Sequence, residues 1–536
     1  MILDRVPAVL RAAPERPAVL TAGPRGGTRI AARRGDLADL ADACVAGLRR
    51  RGLRPGDTLG VAVRPGPRAL AVLLAAHRLR LRVAVLDPFA GPEVLRARLA
   101  LVPPALVVAD AAAQAVAGPA RRLARRAGLA LPPLGDLAPV VATVGRRLPG
   151  CAPALDDPDG TPPRAEVPTR GNPGGDARDG DAVIVFTSGT TTRPRAVVHD
   201  RASLDAALTA VTDLVDPTPG RPVLGGTLFV LAPALARGAT VALPARRPTA
   251  LAAQLARLEP ADTYLTPPAL RAALDRGARL TGRGWAGSAP VPAALMRRAR
   301  RAGARTVTGV YALTEMFPVA AVEEAEKTAF EDSGTPGDLV GAPLPGVTVW
   351  TDAGGGDAGG GELLLSGPAG RVRCLGERPD PVIRTGDRAR LDTGPDGGPR
   401  VVLEGRLKDM VLRGAENIYP GLHEPALHVP GVEVAVLVGV PAAGGAGAGP
   451  GGGDDRAGEE RLVALVEPSR GADPARLRAA LRAPLAGMAG ARPDAVVLAA
   501  VPRSGRSGKP DRAAASRLAA ELLERRNRRR TEGNRR

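Results

Sequence analysis

Apolar and polar positions alternate along the first part of the chain with two different periods. Leu37, Leu40, Ala41, Cys44 and Leu48 recur at helical spacing, which predicts an amphipathic helix over residues 36–50. The turn sequence GLRPGD follows, then the apolar run TLGVAV at residues 58–63, an apolar helix over 67–78, and a second strand, VAVLDP. Strands and helices in this alternation predict an α/β fold with a largely parallel sheet. A further apolar strand, Ala182-Val-Ile-Val-Phe186, leads into a hydroxyl-rich loop. Near the C-terminus VEVAVLVGV is expected to pair with RLVALVEP. Residues 151–180, 352–361 and 441–458 are rich in Gly, Pro or Asp and are expected to be surface insertions. A break in composition at about 404 predicts a large N-terminal domain, 1–404, and a small α+β C-terminal domain, 405–518. A basic tail, 519–536, is expected to be frayed.

Composition narrows the class. With 536 residues and 44% hydrophobic positions the chain can bury a substantial core in more than one domain. No apolar run approaches the length of a bilayer span. The first residues, MILDRVPAVLRAAPERPAVL, are interrupted by Pro and charge and do not read as a signal peptide. Cys44, Cys151 and Cys374 are odd in number and far apart, so they form neither a disulfide framework nor a zinc cluster. A reduced, cytoplasmic setting is expected. The formal net charge of +19 raises a nucleic-acid reading. Arginine is spread along the whole chain, however, as coding bias would spread it, and aromatic residues make up only 2%. Stacking platforms for single strands are therefore scarce, and no nucleic-acid partner is expected. Against this arginine background the only lysines, Lys327, Lys408 and Lys509, are candidates for places where a compact ammonium is needed, with chance retention the alternative.

The candidate chemistry lies in a few segments. Phe186 is followed by Thr187-Ser-Gly-Thr-Thr-Thr-Arg-Pro-Arg195, a loop able to offer backbone N–H groups, hydroxyls and positive charge to phosphate oxygens. It is not the GxxxxGK[ST] loop, and read alone it is equally an ordinary polar turn. Further along stand Trp285-Ala-Gly-Ser-Ala-Pro290, Val310-Tyr-Ala-Leu-Thr-Glu315, Arg384-Thr-Gly-Asp387, Gly405-Arg-Leu-Lys-Asp-Met-Val-Leu-Arg-Gly-Ala-Glu-Asn-Ile-Tyr-Pro420 and Pro502-Arg-Ser-Gly-Arg-Ser-Gly-Lys-Pro-Asp-Arg512.

In order and spacing these segments resemble the motifs of the adenylate-forming superfamily, which includes acyl-CoA synthetases. The resemblance implies a nucleotide site built from Thr187, Ser188, Gly189, Thr190, Thr191 and Arg195 around the phosphates, with Gly287, Ser288, Ala289 and Pro290 beside the adenine. Tyr311 would stack on adenine, Thr314 would contact phosphate, and Glu315 would hold Mg²⁺. Asp387 would take the ribose hydroxyls and Arg406 the ribose and phosphate. Lys408 would be a hinge and Lys509 the catalytic lysine, with Thr187 and Glu315 sharing the catalytic work. Several positions depart from the usual pattern: Thr192, Ala196, Ala312 and Ala415 stand where glycine is usual, Arg195 where lysine is usual, and Leu422 where an acidic residue is usual.

The implied reaction is attack of a carboxylate on the α-phosphate of ATP, with Mg²⁺, to give acyl-AMP and pyrophosphate, then transfer to CoA or to the phosphopantetheine of an acyl carrier protein. The wall segment Pro222–Leu235 carries no charge, and Met316 and Phe317 are apolar. With Phe229 and Gly287 they predict a pocket for a neutral acid of fatty or polyketide type. GSAPVPAAL and YALTEMFPVAAVE also look like β-lactone synthetases of olefin pathways, in which the acid's own β-hydroxyl attacks. A degenerate nucleotide-binding protein is the non-enzymatic alternative. The four histidines give little: His199 ends the loop segment, and His77, His423 and His428 are expected to be surface or half-buried residues.

Overall fold

The computed structural model describes all residues except 88–91, 127–130, 156–179, 187–194, 353–359, 414–415, 442–459, 489–490, 505–507 and 534–536. The insertions expected around 151–180, 352–361 and 441–458 fall largely outside the described residues, as do Thr187 to Thr191. Two compact units are present: Met1–Glu324 with Leu344–Thr348 and Ser366–Ile383, and Ala325–Pro343 with Val349–Leu365 and Arg384–Arg536.

The first unit contains a seven-stranded sheet. Its spatial order is Arg373–Cys374, Ala196–Asp200, Asp181–Phe186, Arg82–Val85, Thr58–Ala62, Leu106–Ala109 and Val141–Thr143. The last five run parallel, and the first two pairings are antiparallel. Thr58–Ala62 and Leu106–Ala109 are buried at every position, which explains why they read as unbroken apolar runs rather than alternating strands. The expected helices are present at Arg34–Arg50 and Pro67–Arg78. The first is closed at its N-terminus by Asp36, whose carboxylate accepts from the Arg33 N–H at 2.8 Å. The second has proline in its first turn, where no backbone donor is missed. A second sheet of the same unit runs Ala320–Glu323, Thr306–Tyr311, Arg283–Gly287, Asp262–Leu265, Pro222–Leu224, Thr240–Ala242, Pro17–Ala22 and Thr28–Arg33.

The second unit has a five-stranded sheet in the order Thr348–Asp352, Gly361–Ser366, Ile383–Thr393, Pro399–Arg406 and Asp338–Pro343. The domain boundary expected at 404 falls inside the strand Pro399–Arg406, because that strand pairs with Ile383–Thr393 and brings Asp387 opposite Arg406. A three-stranded sheet follows. Val432–Pro441 pairs antiparallel with Glu460–Pro468 as expected, and Ala495–Leu498 adds a parallel strand.

Two expectations are corrected. The segment from 519 is not a frayed tail: it continues the helix Arg512–Gly533, and Ala519 and Leu523 are buried against Val436, Val438 and Leu465. Ala515, Ala519 and Leu523 form an i, i+4, i+8 stripe that outweighs the arginines around it. His77 is buried, not superficial, and its Nε2 meets Asp4 at 2.8 Å. Among the described residues no helix is long and apolar enough to cross a membrane.

Candidate active site

In the first unit the strands Arg283–Gly287 and Thr306–Tyr311 run parallel, with Gly287 beside Val310. A Cβ on Gly287 would lie 2.8 Å from the Val310 carbonyl and 3.4 Å from the Tyr264 hydroxyl, so only glycine fits this approach. The next residue, Ser288, has φ of +69°. A non-glycine residue there costs about 1–2 kcal/mol, a strain typical of sites that hold a ligand. The Ser288 hydroxyl is fixed by Tyr264 at 2.9 Å, and burial pushes the Tyr264 phenol above its ordinary pKa. Tyr264 escaped the sequence reading because it lies in no motif. Ala289 is half-buried and Pro290 exposed. Trp285, by contrast, is turned into the core and donates to Asp262 at 3.2 Å.

Tyr311 ends its strand, and Thr314 and Glu315 follow in the turn beyond it; all three are half-buried. The turn is held from behind by His199, which is fully buried and donates from Nε2 to the Thr314 carbonyl at 2.8 Å. Desolvation lowers the pKa of His199, so the ring is neutral. With the proton on Nε2, Nδ1 is an acceptor that finds no partner among the described residues. The His199 ring meets Phe317 edge-on at 5.4 Å, and Phe317 lies 4.0 Å from Phe229, centroid to centroid. Phe229, Phe317 and His199 thus form one aromatic group at the end of the sheet, and the role of His199 was not legible from its place in the sequence. Met316 is fully buried.

Arg195 faces Glu315 and Glu377. Its Nε and Nη2 donate to the Glu377 carboxylate at 2.9 and 2.8 Å, while Nη1 stands 3.5 Å from Glu315. Glu377 raises the pKa of Arg195, and Arg195 lowers that of Glu377. Glu377 was missed in the sequence, since no motif contains it.

In the second unit Asp387 is buried and receives Arg406 Nε at 2.8 Å. Lys509 sits in a short hairpin in which Ser504 pairs with Lys509. Its side chain is exposed, yet nearby protein partly desolvates the ammonium. That desolvation lowers its pKa, Arg406 lowers it further, and Asp387 opposes both. Asp387, Arg406 and Lys509 are therefore gathered electrostatically within one unit. Lys408 is exposed on the single 3₁₀ turn Leu407–Asp409. Arg512 ties that turn to the helix after the hairpin, through Asp409 at 3.1 Å and a bidentate pair with Glu424 at 2.7 and 2.6 Å.

A model of the AMP-binding enzyme family matches residues 8–372. The chain belongs to this family. Among curated proteins, this AMP-binding enzyme is 29% identical to a feruloyl-CoA synthase of Amycolatopsis sp over 424 residues, 74% of this chain and 78% of that one. It is 27% identical to an olefin β-lactone synthetase of Xanthomonas campestris pv. campestris over 493 residues, 83% of this chain and 85% of that one. Among solved structures, an amide bond synthetase from Marinactinospora thermotolerans superposes with a TM-score of 0.72 at 24% identity, covering 97% of this chain and 99% of that one. That likeness supports the fold.

The enzyme activates a carboxylic acid by adenylation and uses ATP and Mg²⁺. The donor set fits both. Glu315 is half-buried and offers one carboxylate, which suffices for Mg²⁺, since that ion takes its other ligands from phosphate and water. The close approach of Gly287 to Val310 and the left-handed Ser288 set the backbone of the segment that the motif resemblance assigns to the adenine. Among the described residues no three His, Cys, Asp or Glu side chains form a ready-made metal cluster.

Proposed function

We propose that this AMP-binding enzyme activates a neutral, largely apolar carboxylic acid as its acyl-AMP and passes the acyl group to a thiol, that of CoA first among candidates. The observation that carries the reading of the acid is the aromatic group of Phe229, Phe317 and the neutral His199, which supplies apolar surface without a charge to hold a second ionic group. One relative, the feruloyl-CoA synthase, is named for an acid of this class.

Bound Mg²⁺ would neutralise charge on the phosphate oxygens. The chain's own residues do the remaining work. Glu315 orients the metal, and the 187–195 segment together with Thr314 holds the phosphates. Asp387 accepts from the ribose hydroxyls, while Lys509 supplies positive charge where the α-phosphate oxygens become more negative. A point charge on a flexible stem suits Lys509 better than a planar fork. Transfer to a carrier-protein phosphopantetheine remains a variant of the same second step.

A second reading is favoured by the extent of the match to the olefin β-lactone synthetase. Here the acid is a β-hydroxy acid and its own hydroxyl attacks the acyl-AMP, with no thiol. The deciding experiment measures acid-dependent pyrophosphate release with ATP and Mg²⁺. The panel holds fatty, hydroxycinnamic and β-hydroxy acids, each with and without CoA. Release stimulated by CoA, with a thioester product, is the expected result. Turnover confined to β-hydroxy acids without CoA would establish the second reading, and no release with any acid would defeat both.

A further inference from the structure

The Glu377 side chain is placed by a short segment with backbone ties to the loop of Glu315 and to the strand that follows Arg195. Gly370 bridges Met316, and the Arg371 N–H donates to the Glu315 carbonyl at 2.7 Å. Val372 and Leu375 donate to the carbonyls of Val198 and Ala196 at 3.0 and 2.9 Å. Between them Arg373–Cys374 pairs with Ala196–Asp200, and the Arg373 guanidinium grips the buried Asp181 with bonds of 2.9 and 2.7 Å. One segment therefore fixes Glu377 relative to both Arg195 and Glu315.

A guanidinium is a rigid fork of five donors, and it pairs best with a carboxylate through two of them at once. In Arg195 that pairing edge, Nε and Nη2, is committed to Glu377. Only Nη1 is turned toward Glu315, at 3.5 Å, longer than a charge-assisted bond of about 2.7–2.9 Å. Arg195 thus approaches Glu315 without closing on it.

We propose that Glu377 is a positioning residue for Mg²⁺·ATP: by occupying the pairing edge of Arg195 it keeps the arginine from capturing Glu315, and so leaves that carboxylate to the metal. The proposal rests on the reading of Glu315 as the Mg²⁺ ligand. It also accounts for arginine at 195, where lysine is usual. A lysine has one point of charge and cannot be held by one edge while presenting another. Both groups of the pair are substantially exposed, so the pair adds little to stability and its effect is on orientation. Without Glu377 the fork swings onto Glu315, and a fixed cation then competes with Mg²⁺.

The test is binding of ATP, without acid, by calorimetry across a Mg²⁺ titration. Wild type, Glu377→Gln, Glu377→Asp, Arg195→Ala and the Arg195→Ala/Glu377→Gln double variant are compared, each checked for folding by its thermal melt. For Glu377→Gln the Mg²⁺ concentration giving half-maximal ATP binding rises about three- to tenfold, the range a partly exposed charge interaction carries. Glu377→Asp recovers much of the wild-type value, and in the Arg195→Ala background the Glu377→Gln change has no further effect. An unchanged Mg²⁺ dependence in Glu377→Gln would overturn the proposal. So would an equal loss of ATP affinity at every Mg²⁺ level. Wild type that binds no ATP at any Mg²⁺ concentration would instead overturn the adenylation reading itself.

Discussion

At the scale of single residues the rare lysines repay close attention. Lys509 lies on a short antiparallel pair of strands and Lys408 on an exposed turn. Lys327 lies in no motif, yet it is buried and gives its ammonium to Asp338 and to the Leu339 carbonyl at 2.6 Å. Lys327 uses its charge inside the fold, so a rare lysine in this chain is not by itself a mark of the reaction site. Lys509 also yields a pH prediction. Its pKa in the folded enzyme is depressed, so the charged form is lost at lower pH than in a free lysine. If that charge acts on the α-phosphate, the alkaline limb of pyrophosphate release lies below the ordinary lysine range. Arg406→Gln removes a repelling cation and moves the limb to higher pH, whereas Asp387→Asn removes an attracting anion and moves it lower. Lys509→Ala abolishes release while ATP still binds. A limb that ignores both neighbours would remove Lys509 from the titration.

At the scale of elements, hydrophobic pattern predicted best where one period was clean. The helix Pro67–Arg78 and the pair Val432–Pro441 with Glu460–Pro468 were legible, because burial there is settled by local sequence. The segment carrying Glu377 was not legible. Its strand is only Arg373–Cys374, and its position is fixed by Asp181, far away in sequence, which also meets Arg82 at 3.3 Å. Charge density misled at the C-terminus, where arginines on the exposed side hid an apolar stripe. A chain ending at 518 loses Ala519 and Leu523 from the core against Val436 and Leu465. Loss of a buried leucine alone carries about 2–5 kcal/mol. The truncated enzyme should therefore show faster amide hydrogen exchange in Val432–Pro441, with the strand Thr58–Ala62 of the other unit unchanged. Equal protection in both forms would restore the frayed-tail view.

At the scale of the whole molecule, the motif residues divide between two compact units. Arg195, Gly287, Tyr311, Thr314 and Glu315 belong to one, and Asp387, Arg406, Lys408 and Lys509 to the other. The order of motifs made the family legible, but not this division, because the pairing of Asp387 with Arg406 joins two motifs across the expected boundary. Within the second unit, the turn Leu407–Asp409 follows the strand carrying Arg406 and is where the motif resemblance implies a hinge. Arg512 fixes the far side of that turn through Asp409 and Glu424, and Lys408 is exposed just before Asp409. Proline at 408 fixes φ and restricts residue 407 as well. If the two half-reactions need different settings of this turn, Lys408→Pro should separate them. Acid-dependent formation of acyl-AMP in a single turnover would persist, while steady-state thioester formation with CoA would fall by more than about tenfold, a barrier change of about 1.4 kcal/mol. Equal loss of both half-reactions would assign Lys408 a direct part in adenylation, and no loss of either would place the hinge elsewhere.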